Sequence, residues 1–85
     1  MIFDSAEIKC ILEVLKILEK GKSKYSKMFK QTKVSHTTLQ SVLKDLTEKK
    51  FIKRKVIDHM NVDYEITEKG RKLLRKLEEL KELLR

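Results

Sequence analysis

Val34-Ser35-His36-Thr37-Thr38-Leu39-Gln40-Ser41-Val42-Leu43-Lys44-Asp45-Leu46 is the run that decides how this chain folds. Ser35 is a capping residue type placed just before the first apolar position. Leu39, Val42, Leu43 and Leu46 then recur at the period of an α-helix, which predicts a helix over 35–49. On a wheel of about 100° per residue those four share one face. Thr37, Ser41 and Lys44 point directly away from it, and Thr38 and Gln40 flank them. Such a polar strip is either an ordinary solvated face or a surface that reads a partner. The neighbouring elements decide between the two.

Upstream, Ser23 is placed to cap a short helix over 24–31 that buries Tyr25, Met28 and Phe29. Thr32-Lys33-Val34 reads as a tight connection. Before it, Asp4 and Glu7 form a helix-capping pair. Ile8, Ile11, Leu12, Leu15 and Leu18 follow at helical spacing, and Gly21 supplies the stop. Cys10, Val14 and Ile17 make a second apolar stripe on the same helix. A helix apolar on two sides wants two covers, here the domain's own core and a partner chain. Downstream, a strand is expected over 51–57, a turn at Asp58-His59-Met60-Asn61, and a second strand in which Val62, Tyr64 and Ile66 alternate with Asp63 and Glu65. That is a hairpin with one buried face. Thr67 caps a last long helix. Its Leu73, Leu77, Leu80 and Leu84 have the alternating spacing of a coiled-coil seam. The order of helix, short helix, turn, helix, hairpin and long helix is the winged helix-turn-helix arrangement, mainly α with a small β-hairpin.

Composition bounds the rest. A chain of 85 residues holds one core. We divide it into a winged helix-turn-helix domain over 1–70 and a C-terminal extension of the last helix over 71–85. Lys and Arg number 21 against 13 acidic residues, a formal charge of +8, which favours a polyanionic partner through counterion release. The single Cys10 builds no disulfide framework, and His36 and His59 are too far apart in sequence to suggest a metal site. No apolar run approaches transmembrane length, and Met1-Ile2-Phe3-Asp4 lacks the layout of a signal peptide. The expectation is a cytoplasmic, nucleoid-associated protein with no cofactor, no membrane partner and no small-molecule substrate. Gly21 and Gly70 are too few for a phosphate-cradling loop, and no nucleophile-base-acid cluster is evident, so no enzymatic activity is expected.

Three stretches in this order resemble winged helix regulators of the MarR, PadR and ArsR type. They are the run 34–46, the exit Lys49-Lys50-Phe51-Ile52-Lys53-Arg54, and the handover Tyr64-Glu65-Ile66-Thr67-Glu68-Lys69-Gly70. The resemblance spans nearly the whole chain. One departure is Lys50, where those regulators usually carry Gly because the helix ends in a left-handed conformation. The leucine spacing of the last helix is similar to that of small archaeal winged helix proteins that dimerise through a terminal coiled coil.

The resemblance implies a homodimeric, sequence-specific regulator bound to double-stranded DNA. Helix 35–49 would lie in the major groove and wing 52–66 on the backbone or minor groove. Thr37, Thr38, Gln40, Ser41 and Lys44 are then the base-reading residues, with Gln40 suited to a bidentate contact with adenine. Lys24, Lys27, Lys30, Lys33, Ser35, His36, Lys53, Arg54 and Lys55 are the backbone contacts. Cys10, Val14, Ile17, Leu73, Leu77, Leu80 and Leu84 are the expected dimer interface. Two other readings stand beside this one: a nucleoid-type architectural protein with little sequence preference, and a winged helix that docks other proteins.

Overall fold

Because α1 (Ala6–Glu19) is apolar on two sides, it becomes the helix around which the others assemble. A computed structural model describes residues 5–59 and 61–85. In it α1 packs against α2 (Tyr25–Thr32), α3 (His36–Glu48), α4 (Glu68–Leu83) and β2 (Asn61–Ile66). Leu15 and Leu18 from α1, Met28, Leu39, Ile52 and Leu74 are the largest side chains fully enclosed between them.

Both stripes of α1 are consumed by this packing. Cys10, Val14 and Ile17 are 1 %, 0 % and 7 % exposed within a single chain, so they offer a partner no surface. This corrects their assignment to a dimer interface. The second cover is the chain's own set of helices. Burial, reinforced by Glu13, raises the Cys10 thiol from 9.0 to about 11. The native thiol therefore stays protonated at neutral pH and resists a maleimide reagent until the chain unfolds. A thiol held above its unfolded value also makes stability fall as pH rises through the window from about 9 to about 11, because the unfolded state loses its proton first. Rapid labelling of Cys10 in the folded protein contradicts this packing.

The helix ends follow local chemistry with two exceptions. The Asp4 half of the expected capping pair lies outside the described residues, and Ser5 holds the N-cap position without a side-chain bond. Gly21, at φ +152°, follows the last turn of α1 as expected. Ser23 does not cap α2: Lys24 occupies that position, and the Ser23 hydroxyl donates to the Lys24 carbonyl. Ser23 is drawn instead into the sheet, where its backbone exchanges hydrogen bonds of 3.0 and 2.8 Å with Tyr64. Ser35 and Thr67 do cap α3 and α4, accepting from the amides of Thr38 and Gly70 at 3.1 and 3.0 Å.

α3 closes in a Schellman motif. The Phe51 amide bonds to the Leu46 carbonyl at 2.9 Å and the Lys50 amide to the Thr47 carbonyl at 3.0 Å. Lys50 is left-handed at φ 65°, the conformation that the missing glycine favours. Lys69 compensates in part, donating to the Lys49 carbonyl at 2.9 Å with its ammonium 4.6 Å from the Phe51 ring centroid. Lys50→Gly should raise stability by about 0.5–1 kcal/mol, moving the melting temperature up by a few degrees. Unchanged or lower melting would show that the left-handed lysine carries no strain.

The hairpin joins β1 (Ile52–Asp58) to β2, antiparallel, with Ile52 opposite Ile66, Arg54 opposite Tyr64 and Val56 opposite Val62. Met60 of its turn lies outside the described residues. The expected buried face exists only at the root. Ile52 is enclosed, but Val56 and Ile57 are 56 % and 57 % exposed, because the hairpin extends beyond the helices that could cover it. Asp63, expected on the solvent side, is buried. The segment carrying Lys22, Ser23 and Lys24 lies along β2 and covers it.

Candidate nucleic-acid interface

The outward strip of α3 emerges as its wheel requires. With Leu39, Val42, Leu43 and Leu46 locked into the core, Thr37, Gln40, Ser41 and Lys44 are exposed on the other side. Thr38 is half-buried and its hydroxyl accepts from the Ser35 hydroxyl at 3.0 Å. Ser35 thus serves the helix cap, and the pair stiffens the first turn that presents Thr37. An array of short hydroxyl and amide side chains on a fixed helix can exchange directional hydrogen bonds with flat polar edges such as those of base pairs.

His36 begins α3 and is drawn against α2. Its Nδ1 lies 2.8 Å from the Tyr25 hydroxyl, and its ring stacks on Phe29 with centroids 3.7 Å apart. Tyr25 and Phe29 are half-buried against the core, as their place on an apolar stripe indicates. Burial is the main cause holding the Tyr25 hydroxyl above its ordinary pKa, and Tyr64 and Cys10 add to it. The nearby Gln40 side chain acts the other way.

Between α3 and the wing runs an open groove of about 430 Å³. Gln40, Lys44 and Glu48 line one wall, Arg54 and Tyr64 the other, with Tyr25 and Leu43 among the remaining lining residues. The strip of α3 and the first wing strand therefore border one concave surface. Arg54 is exposed where it enters that groove, opposite Tyr64 in the hairpin register.

The cations divide into two sets. Lys27, Lys30 and Lys33 on and after α2, together with Lys53 and Arg54 on β1, are exposed. Lys24 and Lys55 are exposed as well, but each pairs with an acidic residue of β2. Lys24 lies 3.0 Å from Asp63 and also donates to Asn61, while Lys55 lies 3.5 Å from Glu65. The hydrogen bond from Lys24 is the first cause holding the Asp63 carboxyl below its ordinary range, with Lys22 and Lys55 adding attraction. This ion cluster ties the wing to the start of α2. Its signal was absent from the local pattern, because Asp63 looked like one more solvent-side residue of an alternating strand.

The leucine seam divides too. Leu73 and Leu77 are half-buried against the domain's own core, whose centre on this helix is Leu74. Leu80 and Leu84 remain 40 % and 39 % exposed, and Leu83 is more exposed still. Among the described residues there is no group of three or more His, Cys, Asp or Glu able to hold a metal ion. No helix in the described residues is long and apolar enough to cross a membrane.

The chain resembles several solved structures. The smu.1704 protein of Streptococcus mutans UA159 superposes with a TM-score of 0.80 at 23 % identity, over 94 % of this chain and 81 % of that one. A transcriptional regulator of Clostridium thermocellum, Cth-833, gives 0.81 at 22 % identity, over 98 % and 89 %. ZitR of Lactococcus lactis, solved in complex with DNA, gives 0.70 at 24 % identity; the match covers 81 % of this chain and 49 % of that protein. At these identities the likeness is one of fold. No curated protein matches the chain at a significant level. The family model described as winged helix-turn-helix matches residues 5–85, and it agrees with the element order, the capped third helix and the two-stranded wing. The chain belongs to the winged helix-turn-helix family.

Proposed function

We propose that the protein is a transcriptional regulator that binds double-stranded DNA in a sequence-specific manner as a homodimer. α3 lies in the major groove, and the wing rests on the backbone or minor groove. The observation that carries this reading is the outward strip of α3. Thr37, Gln40 and Ser41 stand exposed on a rigidly capped helix, with exposed cations on α2 and β1 to either side. The arrangement separates residues able to read base edges from residues able to hold phosphates. The likeness to ZitR, a protein solved with DNA, supports the same assignment. The protein acts in the cytoplasm, at the nucleoid, and catalyses no reaction in this role.

The dimer is formed through residues 71–85. Leu80 and Leu84 supply the exposed part of the seam, and Leu73 and Leu77 its half-covered edge. A two-fold pair of α3 helices then meets successive major grooves, and the operator is near-palindromic. Sedimentation at micromolar concentration should give a dimer, and Leu80→Lys with Leu84→Lys a folded monomer. A parent chain that sediments as a monomer removes the dimer from this reading.

Selection of bound duplexes from a random pool, repeated at two salt concentrations, tests the whole proposal. Recovery of one palindromic motif at both salts is the expected result. Binding that is steeply salt-dependent but recovers no motif favours the architectural role, since the cations lie mostly outside α3. Weak binding without a salt slope favours a protein-docking role.

A further inference from the structure

We infer that His36 donates from its Nε2–H to a DNA phosphate where α2 meets α3, and that Tyr25 is the positioning residue that fixes the ring and its proton for this contact. The inference rests on the reading of α3 as the helix that enters the major groove, and adds to it a backbone contact that carries no charge.

The imidazole is held from two sides. Its ring stacks on Phe29 with centroids 3.7 Å apart and planes at 8°. The Tyr25 ring lies nearly parallel to it, at 10° and 5.7 Å, and the Tyr25 hydroxyl is 2.8 Å from Nδ1. Tyr25 and Phe29 both belong to α2 and are packed against the core, so the clamp is anchored in the body of the domain. An unrestrained histidine on a helix surface samples several rotamers. Here the stacking and the hydroxyl select one.

The hydroxyl also sets the proton. A neutral imidazole carries one N–H, and the nitrogen that accepts a hydrogen bond is the one without it. Burial raises the Tyr25 hydroxyl above its ordinary pKa, so the phenol keeps its proton. A phenol is a much stronger acid than a neutral imidazole N–H, so the phenol donates and Nδ1 accepts. The ring proton is then on Nε2, across the ring from Tyr25. Nε2 has no partner among the described residues, and His36 is exposed. A phenylalanine at this position would stack equally well; what the imidazole adds is that N–H.

The place of His36 in the fold selects the acceptor. In a helix-turn-helix the first helix crosses the phosphate backbone while the second enters the groove. His36 is the first residue of α3 and is clamped to α2, so it stands at the level of the backbone and not of the base edges. The exposed Lys30 and Lys33 come just before it in the chain and favour the same polyanion. A phosphate oxygen only accepts, which an N–H satisfies and a bare imidazole nitrogen does not.

The test needs no preferred sequence, because every duplex carries phosphates. At about pH 8, above the ordinary range of an imidazole, the ring nitrogens of protein carrying isotope-labelled histidine are followed by NMR, free and with a short mixed-sequence duplex. His36→Phe identifies the His36 signals and, like Tyr25→Phe, is titrated with the same duplex at several salt concentrations. In the free parent His36 should carry its proton on Nε2. On adding duplex, that N–H should shift and exchange more slowly with water. His36→Phe should bind roughly tenfold more weakly at every salt concentration, with the salt slope of the parent, because a neutral donor releases no counterion. Tyr25→Phe should lose several-fold, with its His36 proton shared between the two nitrogens. Both variants should melt within a few degrees of the parent.

A proton on Nδ1 in the free parent overturns the inference. So does a His36→Phe chain that binds within about twofold of the parent, which leaves His36 as a brace between α2 and α3. An unchanged Nε2–H at saturating duplex, alongside shifts of the Thr37 and Ser41 amides, overturns it too and leaves the reading of α3 intact. The ring signals are read in the parent, so a variant that folds poorly does not shield the inference. If the parent shows no α3 shifts at saturating duplex, the DNA-binding face itself is misassigned, and the inference falls with it.

Discussion

Replacing Gly70 with alanine should lower the melting temperature by about 15 °C, corresponding to roughly 3 kcal/mol for a domain of this size. A methyl group at Gly70 meets the Phe51 carbonyl oxygen at 2.0 Å and the Ile66 side chain at 2.8 Å. The oxygen is backbone, so it cannot swing aside. It is also fixed by two bonds from Thr67, the amide at 3.1 Å and the hydroxyl at 2.9 Å. Relief therefore requires α4 to lift away from the exit of α3, which strains the Thr67 cap and the root of the wing together. The conformation of Gly70 is ordinary helix; what the position needs is the missing side chain. Thermal unfolding followed by circular dichroism reads the effect. A Gly70→Ala chain that melts within about 3 °C of the parent would show that α4 does not sit so close to Phe51.

Raising salt from about 50 to about 200 mM should weaken binding to duplex DNA roughly a thousandfold. The size of the effect follows from the exposed cations of the two protomers in the proposed dimer. Lys27, Lys30, Lys33, Lys53 and Arg54 flank each α3, and engagement of about half of them gives a slope of that steepness. Alanine at Lys27, Lys30 or Lys53 should flatten the slope by about one unit for each phosphate left without its cation, uniformly across DNA sequences. Lys24→Ala should behave differently. It removes the ammonium that holds the buried Asp63 carboxylate, so it loosens the wing and lowers stability as well as affinity. Titrations monitored by fluorescence anisotropy at several salt concentrations separate these cases. Affinity that is flat across the range contradicts a phosphate-binding role for these lysines.

What could be read from the sequence was what local chemistry controls. The cap at Ser35, the four anchors of α3 and the cap at Thr67 depend on residues within a turn of one another, and all stand where their spacing places them. The left-handed Lys50 was legible only through the resemblance, since the regulators this chain resembles usually carry Gly where α3 ends. Partnerships between distant residues were not legible. Asp63 is held by Lys24 across 39 positions, and nothing in an alternating strand marks one acidic residue as buried. Ser23 has the chemistry of a cap, yet the wing recruits its backbone.

The two stripes of α1 show the limit most clearly. Periodicity reveals that both sides must be covered without revealing by what, and three helices and a strand of the same chain supply the cover. On α4 the heptad spacing selects Leu73, Leu77, Leu80 and Leu84, whereas the centre of the packed face is Leu74. The seam lies along the flank of that face. Within the candidate interface, the exposed strip of α3 followed from the wheel. The tie between Tyr25 and His36 did not, because an aromatic residue on an apolar stripe reads as core, and only the fold brings its hydroxyl to the first residue of α3.

The central claim is that the exposed face of α3 and the first wing strand form the surface that meets DNA. Titrating the isotope-labelled protein with a short duplex and following each backbone amide by NMR tests it most directly. The expected result is that Thr37, Gln40, Ser41 and Lys44, with Lys53, Arg54 and Lys55, shift most, while the α4 amides beyond Leu77 stay in place. Shifts concentrated on α4, or none on α3 at saturating duplex, would contradict it.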